Sequence, residues 1–365
     1  MADDQNDLYT QTLNHLLAPI KPLLDDPTIS EIMINGSQDI YVERSGIIER
    51  SDAKFPDEYA LEAAMRNVAQ YAGRRFIPEN PSIEARLPDG SRVHIVQAPA
   101  ARPGLCAAIR KFSEEKLDLA DLVGFDSLTA EAAEFLKIAV IKAKNIVISG
   151  GTGSGKTTLL NCLSGMIPSH ERILVLEDSS ELQLQQEHVV CFEVKAPDRN
   201  GRGGIDIRDL FKASLRMRPD RVVVGECRGG EALDMIQAMT SGHSGSLTTC
   251  HASTPSDALG RLETMALMAG LNIPLEALQS QLASAIDLIV QINRLHDGSR
   301  RVTHITQLLG QDESKKYNLE HLFRLNYTEG KGHLEWTMVK PRLYAEPLGG
   351  VQDELNLTSK MFQGK

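Results

Sequence analysis

The run Gly150-Gly151-Thr152-Gly153-Ser154-Gly155-Lys156-Thr157 has the residue types that wrap a phosphate. It fits the pattern G-x-x-x-x-G-K-[ST], and each part has a physical task. The glycines let backbone N–H groups converge on phosphate oxygens, Lys156 reaches the β- and γ-phosphates, and the Thr157 hydroxyl can ligate Mg2+. Gly151, Thr152, Gly153, Ser154, Gly155, Lys156, Thr157 and the adjoining Thr158 are therefore the expected nucleotide-holding residues. Such a loop serves kinases, GTPases, transporter subunits and motors alike, so the rest of the site must discriminate.

Three further segments could complete it. Ile173 to Leu176 runs into Glu177-Asp178-Ser179-Ser180-Glu181, which puts two carboxylates at the end of an apolar strand, where ligands gather in open α/β sheets. They could hold the water shell of Mg2+. Arg221-Val222-Val223-Val224-Gly225-Glu226 is a second apolar strand ending in a carboxylate, and Glu226 is the expected group to polarise the attacking water. Which of Glu177, Asp178 and Glu226 accepts the proton stays open. The third segment, Gly242-His243-Ser244-Gly245-Ser246-Leu247-Thr248-Thr249-Cys250-His251-Ala252, carries two histidines about a short β-run. With no Cys or carboxylate cluster at ligand spacing, phosphate sensing or hydrogen bonding suits them better than zinc. His251 is expected nearer the phosphate, with His243 a weaker candidate.

The elements that must position these groups follow from the pattern of apolar residues. From Asn145 onward, β-branched runs alternate with helix-period stretches, the signature of βαβ units and a buried parallel sheet. Strands are expected at 145–149, 172–176, 189–195, 221–225 and 246–250. Thr254-Pro255-Ser256-Asp257 combines a hydroxyl cap, a first-turn proline and a carboxylate two residues further on, so a helix should start there. The segment 197–204, Pro-Asp-Arg-Asn-Gly-Arg-Gly-Gly, has no apolar anchor and reads as a mobile loop. Before residue 113 the chain reads as a small α+β domain. It has short strands at 31–34 and 40–43, a helix at 58–71, and a hairpin (83–87 and 93–96) turning at Pro88-Asp89-Gly90-Ser91 with Arg86 and Arg92 on either side. The expected layout is an N-terminal domain at 1–113, a connection at 114–128, an α/β domain at 129–310 and an appendage at 311–365.

Composition narrows the class further. A net charge of −10 argues against wrapping nucleic acid. Five cysteines, at 106, 162, 191, 227 and 250, form no Cys-x-x-Cys pair, which speaks for a reducing compartment. An acidic, polar start and apolar runs well short of the ~20 residues of a membrane span give no signal peptide and no transmembrane helix.

The order of these segments resembles the Walker A, Asp box, Walker B and His box of the secretion ATPase superfamily. The stretches 213–221 (Ala-Ser-Leu-Arg-Met-Arg-Pro-Asp-Arg), 225–232 (Gly-Glu-Cys-Arg-Gly-Gly-Glu-Ala), 284–290 and 297–303 are similar to its CpaF/TadA branch, which powers Tad pili. So are Ser30 to Gly36 and Arg86 to Arg92. The resemblance implies a RecA-like P-loop ATPase domain behind a small PAS-like N-terminal domain, assembled as a ring-shaped homohexamer. It implies ATP and Mg2+ as cofactors, and a motor for pilus assembly, retraction or secretion. Such a motor is cytoplasmic, peripheral to the inner membrane and partnered by platform proteins there, with no nucleic acid. The conjugation and effector-secretion branch is the alternative, and a nucleic-acid motor on a RecA-like core a more distant one. The resemblance also implies that Arg92 and Arg110, in Ile109-Arg110-Lys111, contact phosphates, with Arg86 the lesser candidate.

Overall fold

A computed structural model describes residues 10–44, 46–74, 76, 81–112, 117–195, 197, 202–328 and 331–342. The chain divides into two compact units, Met1–Glu115 and Lys116–Lys365.

In the first unit, β1 (Ile29–Asn35), β2 (Ile40–Arg44), β3 (Ile47–Arg50), β4 (Ser82–Arg86), β5 (Arg92–Gln97) and β6 (Leu105–Arg110) form an antiparallel sheet in the order β3-β2-β1-β6-β5-β4. A short helix, α1 (Lys21–Asp25), precedes it. The strands alternate: Ile32, Ile34, Val93, Ile95, Ala107 and Ile109 join one core with Leu61, Ala64, Met65 and Val68 of α2 (Glu58–Tyr71). Helix α2 is capped by the Asp57 carboxylate, which accepts from Ala60 N at 2.7 Å. The expected helix and hairpin are both present. Strand β6, absent from the sequence reading, fills the gap between β1 and β5. Its sequence, Leu-Cys-Ala-Ala-Ile-Arg, puts small apolar residues on both faces, so it lacks a clear two-residue alternation and gives a weak signal.

The second unit is built on a sheet in the order β15-β14-β13-β12-β7-β11-β10-β8-β9. Its parallel part consists of β7 (Ile146–Gly150), β8 (Ile173–Glu177), β9 (Val189–Glu193), β10 (Arg221–Val224), β11 (Leu247–His251) and β12 (Leu288–Arg294). Strands β7, β8 and β10 are buried at every position. On one face Ile146, Ile148 and Val223 meet helices α4 (Ala130–Ile141) and α5 (Lys156–Ser164). On the other, Val147, Val222 and Val224 meet α6 (Ile207–Ser214), α7 (Glu231–Thr240), α8 (Pro255–Leu267) and α9 (Leu275–Ala285). Helix α8 begins as its cap signal requires, Thr254 Oγ1 accepting from Asp257 N at 3.1 Å.

Two segments differ from the sequence reading. Within 114–128, taken as a connection, residues Leu119–Gly124 form helix α3, held by an Asp118–Asp121 capping box, and Leu119 and Leu122 enter the core of the second unit. Charged caps made this stretch look irregular. Beyond residue 310 the sheet continues: β13 (Arg300–Gln311), β14 (Tyr317–Thr328) and β15 (Lys331–Trp336) extend it antiparallel from β12. Of the loop expected at 197–204, residues 198–201 lie outside the described residues, as do 343–365 of the expected appendage. Among the described residues no helix is long and apolar enough to cross a membrane.

The added strands bring His304 and His321 together, ring centroids 4.8 Å apart. Burial, then His321 and Arg324, hold His304 at about 4 against an ordinary 6.5. Burial and Arg324 also lower His321. The unfolded imidazoles take up protons first as pH falls, so the folded state loses stability between about 6.5 and about 4 and keeps it above that window. The melting temperature is expected to drop across this range, and less so in His304→Leu. An equal drop in the variant assigns it to other groups.

Candidate nucleotide site

The phosphate loop sits where its context requires, after β7 and before α5. Gly153 and Gly155 have φ of +69° and +94°, values open to glycine. Gly155 is the N-cap of α5 and offers no side-chain cap, so the first N–H groups of that helix are left for a ligand. Lys156 is only 7% exposed, and its Nζ donates to Gly151 O at 2.8 Å, the same carbonyl that Ser154 Oγ reaches at 2.9 Å. The lysine is thus stowed inside the loop and must turn outward to meet phosphate.

The neighbouring strands bring the remaining groups to the same edge of the sheet. In the order β7-β11-β10-β8, the loop follows β7, His251 ends β11, Glu226 lies two residues beyond β10, and Glu177 ends β8 with Asp178 next. Four strands at about 4.8 Å spacing place all of these within roughly 14 Å, the reach of one nucleoside triphosphate. Glu226 is 19% exposed. Its Oε2 accepts from Arg228 Nη2 at 2.7 Å. His251 Nε2 stands 2.9 Å from Oε1 without the alignment of a hydrogen bond, so this buried oxygen keeps an open lone pair. Burial, and after it the Lys156 ammonium, holds His251 below its ordinary value and therefore neutral at pH 7. Asp178 Oδ2 accepts from Arg228 Nη1 at 3.2 Å.

Glu177 also has a task within its own loop. Only 3% exposed, it accepts at Oε1 from the backbone N–H of Glu181 at 2.8 Å and of Leu182 at 3.0 Å, and so shapes the loop after β8. His243 is not brought to the site. It precedes β11, whereas His251 ends it, and five strand residues separate the two edges by about 16 Å. The neighbouring glycine serves packing: a Cβ on Gly245 would come within 2.0 Å of Nη1 of the buried Arg221, which donates to Val140 O at 2.9 Å and pairs with Glu171.

Arg92 and Arg110 belong to the first unit, where they face each other across β5 and β6. Arg86 and Glu31 extend the same row. Burial, then the Glu43 carboxylate, pushes Glu31 up, and Arg110 pulls it back. Two arginines of the second unit escaped the sequence reading. Arg228 is described above. Arg300, on β13, donates from Nε to Gly153 O at 2.9 Å, and its stem lies 3.4 Å from where a Gly155 Cβ would be. The turn signal Asp297-Gly298 before Arg300 could have revealed the hairpin that carries it.

The family model described as type II/IV secretion system protein matches residues 14–327. PtlH, a type IV secretion system protein of Bordetella pertussis, is 36% identical over 315 residues, covering 79% of this chain and 92% of its own. VirB11, a type IV secretion system protein of Brucella suis, is 33% identical over 339 residues, covering 85% and 93%. The chain belongs to the type II/IV secretion system protein family. The fold agrees: the Legionella pneumophila ATPase DotB superposes with a TM-score of 0.58 at 18% identity, over 81% of this chain and 80% of that one. The second unit accordingly has a RecA-like fold, and the family includes the type IV secretion relatives above. The CpaF/TadA branch expected from the sequence is finer than these matches resolve.

The site fits the nucleotide that the family implies. A glycine-lined cradle, an uncapped helix N-terminus and a buried carboxylate oxygen without a hydrogen bond all meet at one sheet edge. Thr157 is the second residue of α5, and Asp178 follows β8 along the same edge, so these are the residues that would hold Mg2+ and its water shell.

Proposed function

We propose that this chain is an ATP-hydrolysing motor of a secretion or pilus machine, working as a homohexamer. The observation that carries it is the cluster of phosphate loop, His251, Glu226 and Asp178 along one edge of the RecA-like sheet. Mg2+, when bound, neutralises charge on the β- and γ-phosphates. The chain does the rest. Backbone N–H groups of the loop and α5 hold the phosphates, and Lys156 leaves Gly151 O to reach them. Oε1 of Glu226 accepts a proton from water, and the neutral His251 imidazole orients that carboxylate or donates to the γ-phosphate.

Arg92 and Arg110 supply the remaining positive charge from an N-terminal domain. The register of β4, β5 and β6 sets Arg86, Arg92 and Arg110 in one row, a grouping that suits a phosphate ligand. An arginine donated this way raises turnover by about 10³–10⁵. The working division is the N-terminal domain, the connection near residue 115 and the RecA-like domain.

The partners are platform proteins at an inner membrane, with the motor bound peripherally on the cytoplasmic side and no nucleic acid engaged. The names of PtlH and VirB11 favour a type IV secretion machine. The segments at 213–221 and 225–232 favour a Tad pilus, with the same chemistry and another partner. The test is ATPase turnover against protein concentration, with light scattering in parallel, for wild type, Lys156→Ala and Arg92→Ala. Turnover should rise with hexamer formation, vanish in Lys156→Ala and fall in Arg92→Ala with nucleotide binding nearly intact. A monomer that turns over equally well defeats the ring mechanism, and absence of ATPase activity at every concentration defeats the motor.

A further inference from the structure

We propose that Arg228 is a positioning residue for hydrolysis, a single guanidinium that spans Glu226 and Asp178 and fixes the gap between them. This rests on the ATPase reading of the site. Nη2 donates to Glu226 Oε2 at 2.7 Å and Nη1 to Asp178 Oδ2 at 3.2 Å, so two strand ends, β10 and β8, are tied by one side chain. Stability does not explain the arrangement. The Arg228 side chain is 62% exposed, and ion pairs this open to water contribute little to folding.

The segment that carries Arg228 is held from below with unusual thoroughness for a surface residue. The Glu231 carboxylate, 4% exposed at the start of α7, accepts from Arg228 N at 2.6 Å and Gly229 N at 2.8 Å. Cys227 N donates to Thr249 O at 2.9 Å, and Thr249 Oγ1 donates back to Gly225 O at 2.8 Å. On the far side Gly230 lets the turn approach α8's end, since a Cβ there would lie 2.9 Å from Ala269 Cα. The backbone at residue 228 is thus fixed to the strand ends by these bonds, and its exposed head is aimed back at the two carboxylates.

The chemical consequence follows from shape. A planar guanidinium presents N–H donors at a fixed separation and angle, whereas an ammonium is a compact charge on a flexible stem that imposes no such spacing on the two carboxylates. With Oε2 of Glu226 occupied by Arg228, Oε1 is the oxygen left to face water, and Asp178 is held where it would meet the Mg2+ water shell. Arg228 therefore sets which Glu226 oxygen is used and where, and acts on turnover rather than on nucleotide capture.

The test compares Arg228→Gln and Arg228→Lys with wild type in two measurements: steady-state ATP hydrolysis, and the Kd of a fluorescent ADP analogue, which needs no turnover. Expected is a kcat lowered at least tenfold in Arg228→Gln, ADP affinity within about threefold of wild type, and no rescue by Lys. Asp178→Asn should cost less in the Arg228→Gln background than alone, because the two act through one arrangement. An unchanged kcat overturns the proposal, as does rescue by Lys, which would leave charge alone as the reason. A parallel loss of ADP affinity and melting temperature also overturns it, by showing a structural role. If wild type hydrolyses ATP while these variants match it, the ATPase reading stands and only this inference fails.

Discussion

Glu226→Gln is expected to lower ATP turnover by about 10²–10⁴-fold, the usual worth of a positioned proton acceptor. Nucleotide binding should survive, because in the proposed site the phosphate loop and α5 would hold the phosphates without Glu226. The structure explains why the loss should be concentrated in the chemical step. Oε1 of Glu226 is buried without a hydrogen bond, close to a neutral His251, while Oε2 is engaged by Arg228. Glutamine keeps the size and can still accept from Arg228 through its carbonyl, so the arrangement persists while the basic oxygen is lost. Single-turnover hydrolysis and ADP binding measured together check the prediction. Normal turnover in Glu226→Gln would move the proton acceptor to Asp178, since Glu177 already accepts two backbone N–H bonds.

Much of this site was legible because its parts are local. A strand, a glycine-rich turn and a lysine at a helix start occur within a dozen residues, and their spacing alone names the phosphate loop. Strand-terminal acids are legible in the same way, since buried parallel strands read as apolar runs with a visible end. The sequence does not say which way a side chain turns. Glu177 and Asp178 are adjacent, yet one faces the backbone of its own loop and the other faces Arg228. Nor does a glycine declare its reason: Gly245 makes room for a buried arginine rather than for a ligand, and the two histidines flanking its strand come out on opposite edges.

The fold divides along the same line. Parallel strands that bury both faces announce themselves, while β6 is built of small apolar residues and β13, β14 and β15 mix polar and apolar residues, so their place in the sheet is set by pairing. Arg300 escaped notice for this reason. Its contact with Gly153 spans 147 residues and depends on the β12–β13 hairpin folding over the loop.

That hairpin also makes Gly150→Ala the most damaging single-methyl change expected near the site. A Cβ at Gly150 would stand 2.2 Å from the Ile292 carbonyl oxygen and 2.6 Å from Ser154 Oγ. Ser154 can rotate, but Ile292 is fixed in β12, which pairs with β7 on one side and β13 on the other. Relief requires β12 and β7 to part, and with them the Ser149 to Gln291 hydrogen bond buried between the two strands. Overpacking of this kind costs about 3 kcal/mol, toward the upper end of its usual range because the clash is with backbone. Thermal unfolding should shift down by several degrees, and ADP should bind more weakly because the strand that launches the phosphate loop has moved. Gly151→Ala is the matched control: a Cβ there meets nothing within 4 Å, so its melting temperature should stay near that of wild type. Equal melting temperatures for Gly150→Ala and wild type would mean that β12 yields without cost, and the hairpin would then not be the rigid wall that holds the loop in shape.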